Sequence, residues 1–264
     1  MQGLIHIILL SIDLHDIISS MSKIIAVGNQ KGGTGKTSTV FAMGETLSGA
    51  YKKRVLMVDL DPQASLTTAA GVDTEIKIAD VLNGENIRKA ITPIKDNLWM
   101  VPSSMALADV ELKSAGVLRK ILEPAREAAD FIILDLPPSL NFLTANGLVA
   151  SDHVIIPTRP TLLDVAGMDL FLDVVKQAQS LNQSLNVAGI LFTFYDTRIV
   201  SMAEIIKSLK EKDLYIFKQM VGQSIRVAEA MGGSVVTRFP SNPRAAEYVR
   251  FTAELMKLLK KGKG

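Results

Sequence analysis

The chain of 264 residues contains no cysteine, 29 Lys/Arg and 27 Asp/Glu, and its formal net charge is +2. The lack of cysteine excludes disulfides, thiolate metal sites, iron–sulfur clusters and a cysteine nucleophile. The cations are concentrated toward the end of the chain, where residues 181–264 hold 13 Lys/Arg and 7 Asp/Glu. This imbalance leaves two interpretations open, a solvated basic surface or a surface for an anionic partner.

The first 20 residues, MQGLIHIILLSIDLHDIISS, are apolar but contain Asp13. Their uncharged stretch is shorter than the roughly 20 apolar residues that span a bilayer, and they lack the features of a signal peptide. Met21 then opens MSKIIAVGNQ, which has the pattern of a protein start. We therefore interpret residues 1–21 as an N-terminal extension, with an oligomerisation or membrane helix as the alternative, and residues 22–264 as a single domain.

Short apolar, β-branched runs alternate with helical patterns along this domain. Runs of this kind are typical of strands buried on both faces of a parallel sheet, and the alternation indicates βαβ units. We therefore predict an α/β fold with a doubly wound, mostly parallel sheet and helices on both faces. The predicted strands are Lys23–Gly28, Arg54–Asp59, Leu98–Pro102, Phe131–Leu136, His153–Pro157 and Val187–Phe194. The clearest predicted helices are Thr37–Ala50, Met168–Leu181, Ser201–Lys212 and Pro243–Lys260.

The stretch QKGGTGKTS, residues 30–38, lies between the first predicted strand and the first predicted helix. This context and the closing Gly-Lys-Thr predict a P-loop, although Gln30 stands where the usual pattern has glycine. The N–H groups of such a loop and the positive end of the following helix bind phosphate oxygens. Lys36 can bridge the β- and γ-phosphates, and the Thr37 hydroxyl can bind Mg²⁺. The predicted nucleotide-binding residues of the loop itself are Gly32, Gly33, Thr34, Gly35, Lys36, Thr37 and Ser38.

Two aspartates follow later strands, at the edge where open α/β sheets bind ligands. Asp135 ends the run FIILD, and we predict that it holds Mg²⁺ together with Thr37, directly or through water. Asp61 follows the second strand, where a carboxylate can orient or deprotonate the attacking water. The sequence therefore predicts a P-loop nucleoside triphosphatase that uses Mg²⁺, with Lys36 and Asp61 as catalytic residues. For Asp59 we predict either a structural role or a supporting role behind the residues that contact the ligands.

Three motifs, KGGTGKTS, VDLDPQASLTT and IILDLPPSL, resemble those of the ParA/Soj family, the deviant Walker A ATPases that partition plasmids and chromosomes. The resemblance extends from about Met21 to Leu259. It implies an ATP-dependent homodimer in which Lys31, as a catalytic lysine, crosses the interface to a phosphate held by the other subunit. Lys36 would then serve the nucleotide of its own subunit.

The resemblance also implies that the ATP-bound dimer binds DNA without sequence preference. Arg198 and Arg226 match basic positions of the family's DNA-binding surface, and Arg226 lies in the family-like stretch SIRVAEAMGG. A ParB-like partner would stimulate hydrolysis and release the DNA. These properties lead us to expect a cytoplasmic protein that associates with the nucleoid.

The C-terminal segment leaves a MinD-like, membrane-associated ATPase as the alternative. Residues 243–260 are amphipathic, and a helix of this kind could lie in a membrane interface. The segment follows PSNPRAAEY without a linker, however, so we predict that it is buried against the sheet and that the protein does not bind membranes. A binding module without turnover is a third possibility, which the intact P-loop and aspartates oppose. The residues predicted to share the apolar face of this helix are Ala246, Val249, Leu255, Met256 and Leu259.

Overall fold

A seven-stranded sheet forms the centre of the computed structural model, which describes residues 22–196, 198 and 202–260. The sheet order is β3-β4-β2-β5-β1-β6-β7, and all neighbours pair in parallel except β3, which is antiparallel to β4. The predicted extension, residues 1–21, lies outside the described residues. The strands are β1 (Lys23–Val27), β2 (Val55–Asp59), β3 (Thr92–Lys95), β4 (Leu98–Val101), β5 (Phe131–Asp135), β6 (His153–Thr158) and β7 (Asn186–Phe192).

Helices cover both faces of the sheet, because the apolar side chains of each strand point alternately to the two faces. One face is covered by α5, α6, α8 and α9, and the other by α1 and α12. A short 3-10 helix spans Met105–Asp109. The α-helices are α1 (Lys36–Gly49), α2 (Ser65–Ala70), α3 (Ile78–Leu82), α4 (Ile87–Ala90), α5 (Val117–Arg126), α6 (Phe142–Ala150), α7 (Leu162–Ala166), α8 (Asp169–Leu181), α9 (Met202–Glu211), α10 (Ile225–Ala228), α11 (Val235–Arg238) and α12 (Pro243–Lys260).

The predicted α/β architecture is confirmed, and the six predicted strands are present with ends shifted by a residue or two. The largest difference lies at the end of β7, which stops at Phe192 and not at Phe194. Phe194 has a φ of 54°, a left-handed conformation that cannot continue a strand. The sequence analysis also missed β3, because this edge strand contains Pro93 and has only four residues.

The C-terminal helix α12 is buried on one side, as predicted, against α1 and the sheet. The predicted composition of its apolar face was partly wrong. Ala246 is exposed and Val249 is only half-buried, because the buried stripe is rotated by about one position around the helix. The buried side chains are Ala245, Tyr248, Phe251, Thr252, Leu255, Met256 and Leu259.

Candidate functional site

The loop between β1 and α1 has the backbone conformation of a phosphate-binding loop. Gly33 and Gly35 have φ values of 66° and 79°, a left-handed conformation that glycine adopts without steric cost. Among the described residues, no acceptor is found for the N–H groups of Gly33, Thr34 and Gly35. The first N–H groups of α1 follow directly and have no acceptor within the helix. The loop therefore presents a row of free donors at the positive end of a helix, an arrangement that binds phosphate oxygens.

The strand register brings the predicted site residues to one edge of the sheet. Asp135 pairs in register with Val27 on one side, at the start of the loop, and with Asp59 on the other. Asp61 follows two residues after Asp59. Lys36 lies close enough to both Asp135 and Asp61 for their negative charges to oppose the fall in its pKa that burial causes. The predicted phosphate, metal and catalytic residues are therefore neighbours in space, although their individual roles stay predictions.

Lys36 is a buried cation whose hydrogen-bonding capacity is mostly unused. The residue is 7% exposed, and its Nζ donates to the Lys31 carbonyl oxygen at 3.2 Å. Burial lowers the pKa of Lys36, and the negative charges of Asp135 and Asp61 oppose this change. An ammonium group has three donors, and one acceptor is found for Lys36 among the described residues. The remaining donors can bind the oxygens of a phosphate in the loop.

Asp59 stabilises the start of the segment that carries Asp61. Its Oδ1 accepts from the Asp61 N–H at 3.1 Å, and its Oδ2 accepts from the Thr67 N–H and hydroxyl at 2.9 Å and 2.7 Å. Burial raises the pKa of Asp59 to about 6, although these hydrogen bonds oppose the rise. Both carboxylate oxygens are thus engaged within the chain, which agrees with the first of the two roles predicted for Asp59, the structural one.

Asp135 has the opposite character, because neither of its carboxylate oxygens accepts a well-formed hydrogen bond among the described residues, although the Thr37 hydroxyl and the Lys36 charge lie near enough to oppose the rise in its pKa on burial. The side chain is buried, and burial together with the charge of Asp59 raises the pKa of Asp135 well above its usual value. A buried carboxylate whose oxygens lack well-formed hydrogen bonds is costly, so a bound cation would stabilise it. Within the described part of the chain, no group of three His, Asp or Glu side chains could hold a metal alone. The donors fit Mg²⁺ held by Asp135, Thr37, water and nucleotide phosphates.

Lys31 forms an ion pair with Asp164 of its own chain. The lysine side chain is 45% exposed, whereas the Asp164 side chain is only 4% exposed. Asp164 Oδ2 also accepts from the Thr161 hydroxyl at 2.8 Å, at the start of α7. The segment between β6 and α8 therefore holds the second lysine of the loop. Sequence reasoning missed Asp164, since no local motif connects it to the loop.

Two further residues that contact the loop were also missed. Arg159, which follows β6, donates to the Gly33 carbonyl oxygen, and Thr193, which follows β7, donates to that of Thr34. No sequence pattern predicts these two contacts, because each residue follows a strand that is distant from the loop in sequence.

Comparison with known proteins assigns the family. A family model described as an AAA domain matches residues 22–187. The chain is 37% identical to the chromosome-partitioning ATPase Soj of Treponema pallidum over 224 residues, which cover 80% of this chain and 87% of that protein. It is 36% identical to the sporulation initiation inhibitor protein Soj of Bacillus subtilis over 245 residues, which cover 86% and 95% of the two chains.

The chain belongs to the ParA/Soj family. It is therefore an ATPase, as the loop geometry indicates. A solved structure of cobyrinic acid a,c-diamide synthase from Mycobacterium smegmatis, with bound ATP analogue and magnesium, is similar with a TM-score of 0.79 and 28% identity. The match covers 92% of this chain and 97% of that one. An ATP analogue and magnesium thus occupy a related fold, which agrees with the donors found around Asp135 and the loop.

The two arginines predicted from the ParA/Soj resemblance lie on neighbouring exposed segments. Tyr195 and Gly222 form a parallel bridge, and Arg198 and Arg226 follow a few residues beyond it. Arg198 is bound by Asp196, and this contact lowers the pKa of the Asp196 carboxyl well below its usual value. Arg226 pairs with Glu229 and stacks on the Phe239 ring at 5.2 Å. DNA binding by these arginines stays a prediction.

None of the described helices is both long and apolar enough to cross a bilayer. The last described helix, α12, uses its apolar side chains within the core.

Proposed function

We propose that the chain is a Mg²⁺-dependent ATPase whose ATP-bound form is a homodimer that binds DNA without sequence preference. It partitions a plasmid or a chromosome, and a ParB-like protein stimulates hydrolysis and thereby releases the DNA. The protein acts in the cytoplasm on the nucleoid. Residues 22–264 serve as one ATPase domain, in which Lys36 and Thr37 bind the phosphates and Mg²⁺ of their own subunit.

The position of Lys31 is the observation that carries this proposal. Lys36 is buried under the loop, whereas Lys31 is exposed at the edge of the sheet that also carries Asp61 and Asp135. A second lysine at this edge is not needed for phosphates in its own subunit, because Lys36 already has free donors there. When two subunits meet at this edge, Lys31 can leave Asp164 and neutralise the nucleotide of the other subunit. Such a contact is strong because water is excluded from it.

Exposed apolar side chains around the loop support a face-to-face dimer. They lie on the segments that follow β5 and β6, at the carboxyl edge of the sheet. Exposed apolar side chains on a folded protein often mark an interaction site, and these four lie at the edge that a second subunit would cover. The four side chains are Leu140, Phe142, Leu162 and Leu163.

The basic C-terminal third supports DNA binding by the dimer. Arg198 and Arg226 are largely exposed, and their ion-pair partners are exposed too. Surface ion pairs of this kind contribute little to stability, so phosphates can replace the carboxylates at low cost. Cations that contact phosphates give affinity that is independent of sequence and sensitive to salt.

The proposal is tested by sedimentation velocity of Asp61→Ala, which we expect to bind ATP without hydrolysing it. This variant should sediment as a dimer with Mg-ATP and as a monomer with ADP, and it should co-sediment with nonspecific DNA only when ATP is present. Adding Lys31→Glu should abolish the dimer while nucleotide affinity is retained.

Lys120→Glu provides the matched control, because Lys120 is an exposed lysine on α5, away from the loop. A dimer that survives Lys31→Glu, or one that forms equally with ADP, would refute the proposed dimer. Rapid hydrolysis by Asp61→Ala would refute the role of Asp61.

A further inference from the structure

Two side chains outside the P-loop hold the carbonyl groups at its tip. Arg159 donates to the Gly33 carbonyl oxygen from Nε at 3.2 Å and from a terminal nitrogen at 2.9 Å. The Thr193 hydroxyl lies 2.9 Å from the Thr34 carbonyl oxygen. Consecutive carbonyl groups of the loop are therefore fixed from the ends of β6 and β7.

The Thr193 hydroxyl is available to donate to Thr34 because its other possible acceptor, the Thr158 carbonyl oxygen, already accepts a backbone hydrogen bond. The hydroxyl also lies 3.2 Å from the Thr158 carbonyl oxygen, but the Thr193 N–H donates to that oxygen at 2.9 Å. A hydroxyl has one proton to donate, and the shorter contact is the one to Thr34. Thr193 and Thr34 are both about 1% exposed, so water does not compete for this hydrogen bond.

Arg159 is held in place by an aromatic ring that also packs against the loop. Its guanidinium lies 4.9 Å from the centre of the Phe194 ring, a cation–π contact. The same ring and Thr193 lie beside Gly35, within 3.4–3.6 Å of where a Cβ atom on Gly35 would be. Phe194 adopts a φ of 54° to do this, and strain of this kind in a bulky residue is typical of functional sites.

We infer that Arg159 and Thr193 are positioning residues that orient the N–H groups of Thr34 and Gly35 toward bound phosphate. A peptide group is planar and trans, so the carbonyl of one residue and the N–H of the next point in opposite directions. When Arg159 fixes the Gly33 carbonyl, it therefore also fixes the Thr34 N–H. Thr193 does the same for the Gly35 N–H through the Thr34 carbonyl. These N–H groups have no acceptor among the described residues, as a preorganised anion site requires.

The inference rests on the proposed role of the P-loop and adds a specific consequence. The N–H groups of a P-loop bind the phosphates nearest the loop, which ATP and ADP share. Loss of the hydrogen bond from Arg159 or from Thr193 should therefore weaken the binding of ATP and of ADP to the same degree. A group that contacts the γ-phosphate would instead weaken ATP alone.

Thr193→Val removes the hydroxyl and keeps the shape of the side chain. Calorimetric titration should show Mg-ADP and a nonhydrolysable ATP analogue binding about fivefold to tenfold more weakly, the effect of losing one orienting hydrogen bond. Thr193→Ser restores the hydroxyl and should recover affinity to within about twofold. Thr252→Val is the control, because the Thr252 hydroxyl is equally buried and donates to the Tyr248 carbonyl oxygen in α12.

Arg159→Lys and Arg159→Met form the second pair. Lysine keeps the charge but cannot donate to one carbonyl with two nitrogens of a planar group. Both variants should therefore bind ADP and the ATP analogue more weakly, by the same factor for the two nucleotides. If Arg159 acted only through its charge, Arg159→Lys would keep nearly wild-type nucleotide affinity. In steady-state assays KM should rise more than kcat falls.

Wild-type ADP affinity in both Thr193→Val and Arg159→Met would overturn the inference. The inference would also fail if these variants melted at a lower temperature without nucleotide while their folded fraction bound ADP as tightly as wild type. That result would show a structural role only. Lys36→Ala distinguishes a failure of the P-loop assignment from a failure of the role given to Arg159 and Thr193. If Lys36→Ala binds ADP normally, the P-loop assignment itself fails; if it does not, only the role of those two residues is at stake.

Discussion

At the scale of single residues, the ion pair between Lys31 and Asp164 competes with the proposed dimer contact. Asp164→Asn should release Lys31 and lower the protein concentration needed for ATP-dependent dimerisation by about threefold to tenfold. Each dimer would break two of these ion pairs, and each pair, with its lysine half exposed, is worth about 0.3–0.7 kcal/mol. The dimer dissociation constant with a nonhydrolysable ATP analogue, measured by sedimentation equilibrium, tests this expectation.

Asp169→Asn is the appropriate control for that experiment. Asp169 also pairs with a lysine, Lys212, but at an exposed position at the start of α8. We expect no change in its dimer dissociation constant. A dimer that is equally stable or weaker in Asp164→Asn would show that the ion pair does not restrain Lys31.

The buried carboxylate of Asp135 should make the nucleotide-free protein sensitive to pH. Burial raises the pKa of Asp135 in the folded state above the value of about 3.9 of an unfolded chain. Its contribution to stability is therefore favourable in acid and is lost as pH rises through the folded pKa. Asp135→Asn removes this loss, and it should stabilise the metal-free protein by about 1–3 kcal/mol near neutral pH.

Urea unfolding in EDTA at about pH 5 and about pH 8 measures this effect. The difference between Asp135→Asn and wild type should be larger at the higher pH, and the variant should lose the stabilisation that Mg-ADP gives the wild type. Asp96→Asn, at an exposed position, should match wild type at both values. A difference that is constant or smaller at the higher pH would contradict the assigned burial effect.

The sequence predicted the residues of the site that belong to local motifs, and it missed those that do not. Lys31, Lys36, Asp61 and Asp135 stand in or directly after a strand–loop pattern with recognisable spacing. Asp164, Arg159 and Thr193 reach the loop from the segments that follow β6 and β7. These segments lie near the loop only because the sheet order places β6 next to β1 and β7 next to β6. Contacts of this type depend on tertiary structure and leave no periodic signal in the chain.

At the scale of elements, Glu45 joins three parts of the fold. This buried residue of α1 accepts from Lys95 of β3 at 2.7 Å, and from the Ser234 N–H and the Thr237 hydroxyl at 3.0 Å and 2.7 Å. Ser234 caps α11. The short strand and the short helix are thus both held by one carboxylate.

Glu45→Ala should destabilise the protein by about 3–5 kcal/mol, because it leaves Lys95 and several buried donors without a partner. Urea unfolding with circular dichroism measures the loss. Glu85→Ala, which removes an exposed partner of Lys89 on the surface, should leave the unfolding midpoint unchanged. An equally stable Glu45→Ala would mean that these donors find water or other acceptors.

The elements differ in how well the sequence predicts them. Strands β1, β2 and β5 are continuous apolar runs and were found readily. Helices α2, α3, α4, α7, α10 and α11 have only four to six residues each, too few for a helical period to be recognised. Their positions depend on caps and tertiary contacts, as with Ser234 and Glu45.

At the scale of the whole molecule, the charge imbalance along the chain should appear as salt-dependent DNA affinity. With ATP and the Asp61→Ala background, Arg226→Ala and Arg198→Ala should each weaken binding to random duplexes equally across sequences. Each should also reduce the slope of log affinity against log salt by about one unit. Fluorescence anisotropy over a salt series measures both quantities.

Arg88→Ala is the control and should keep the wild-type slope, because Arg88 is an exposed arginine of α4 outside the basic region 181–264. Retention of the slope by both arginine variants would place the DNA surface elsewhere. ATP affinity should stay constant throughout, since neither arginine contacts the loop.

The end of β7 joins the two activities proposed for this molecule. Thr193 and Phe194 touch the P-loop, Tyr195 bridges to Gly222, and Arg198 follows almost at once. A displacement of the loop when phosphate leaves would therefore reach Thr193, Phe194 and Tyr195, which lie directly before the proposed DNA-binding residue Arg198 in the chain. Hydrolysis of the nucleotide and release of the DNA would then be coupled mechanically through the segment that follows β7.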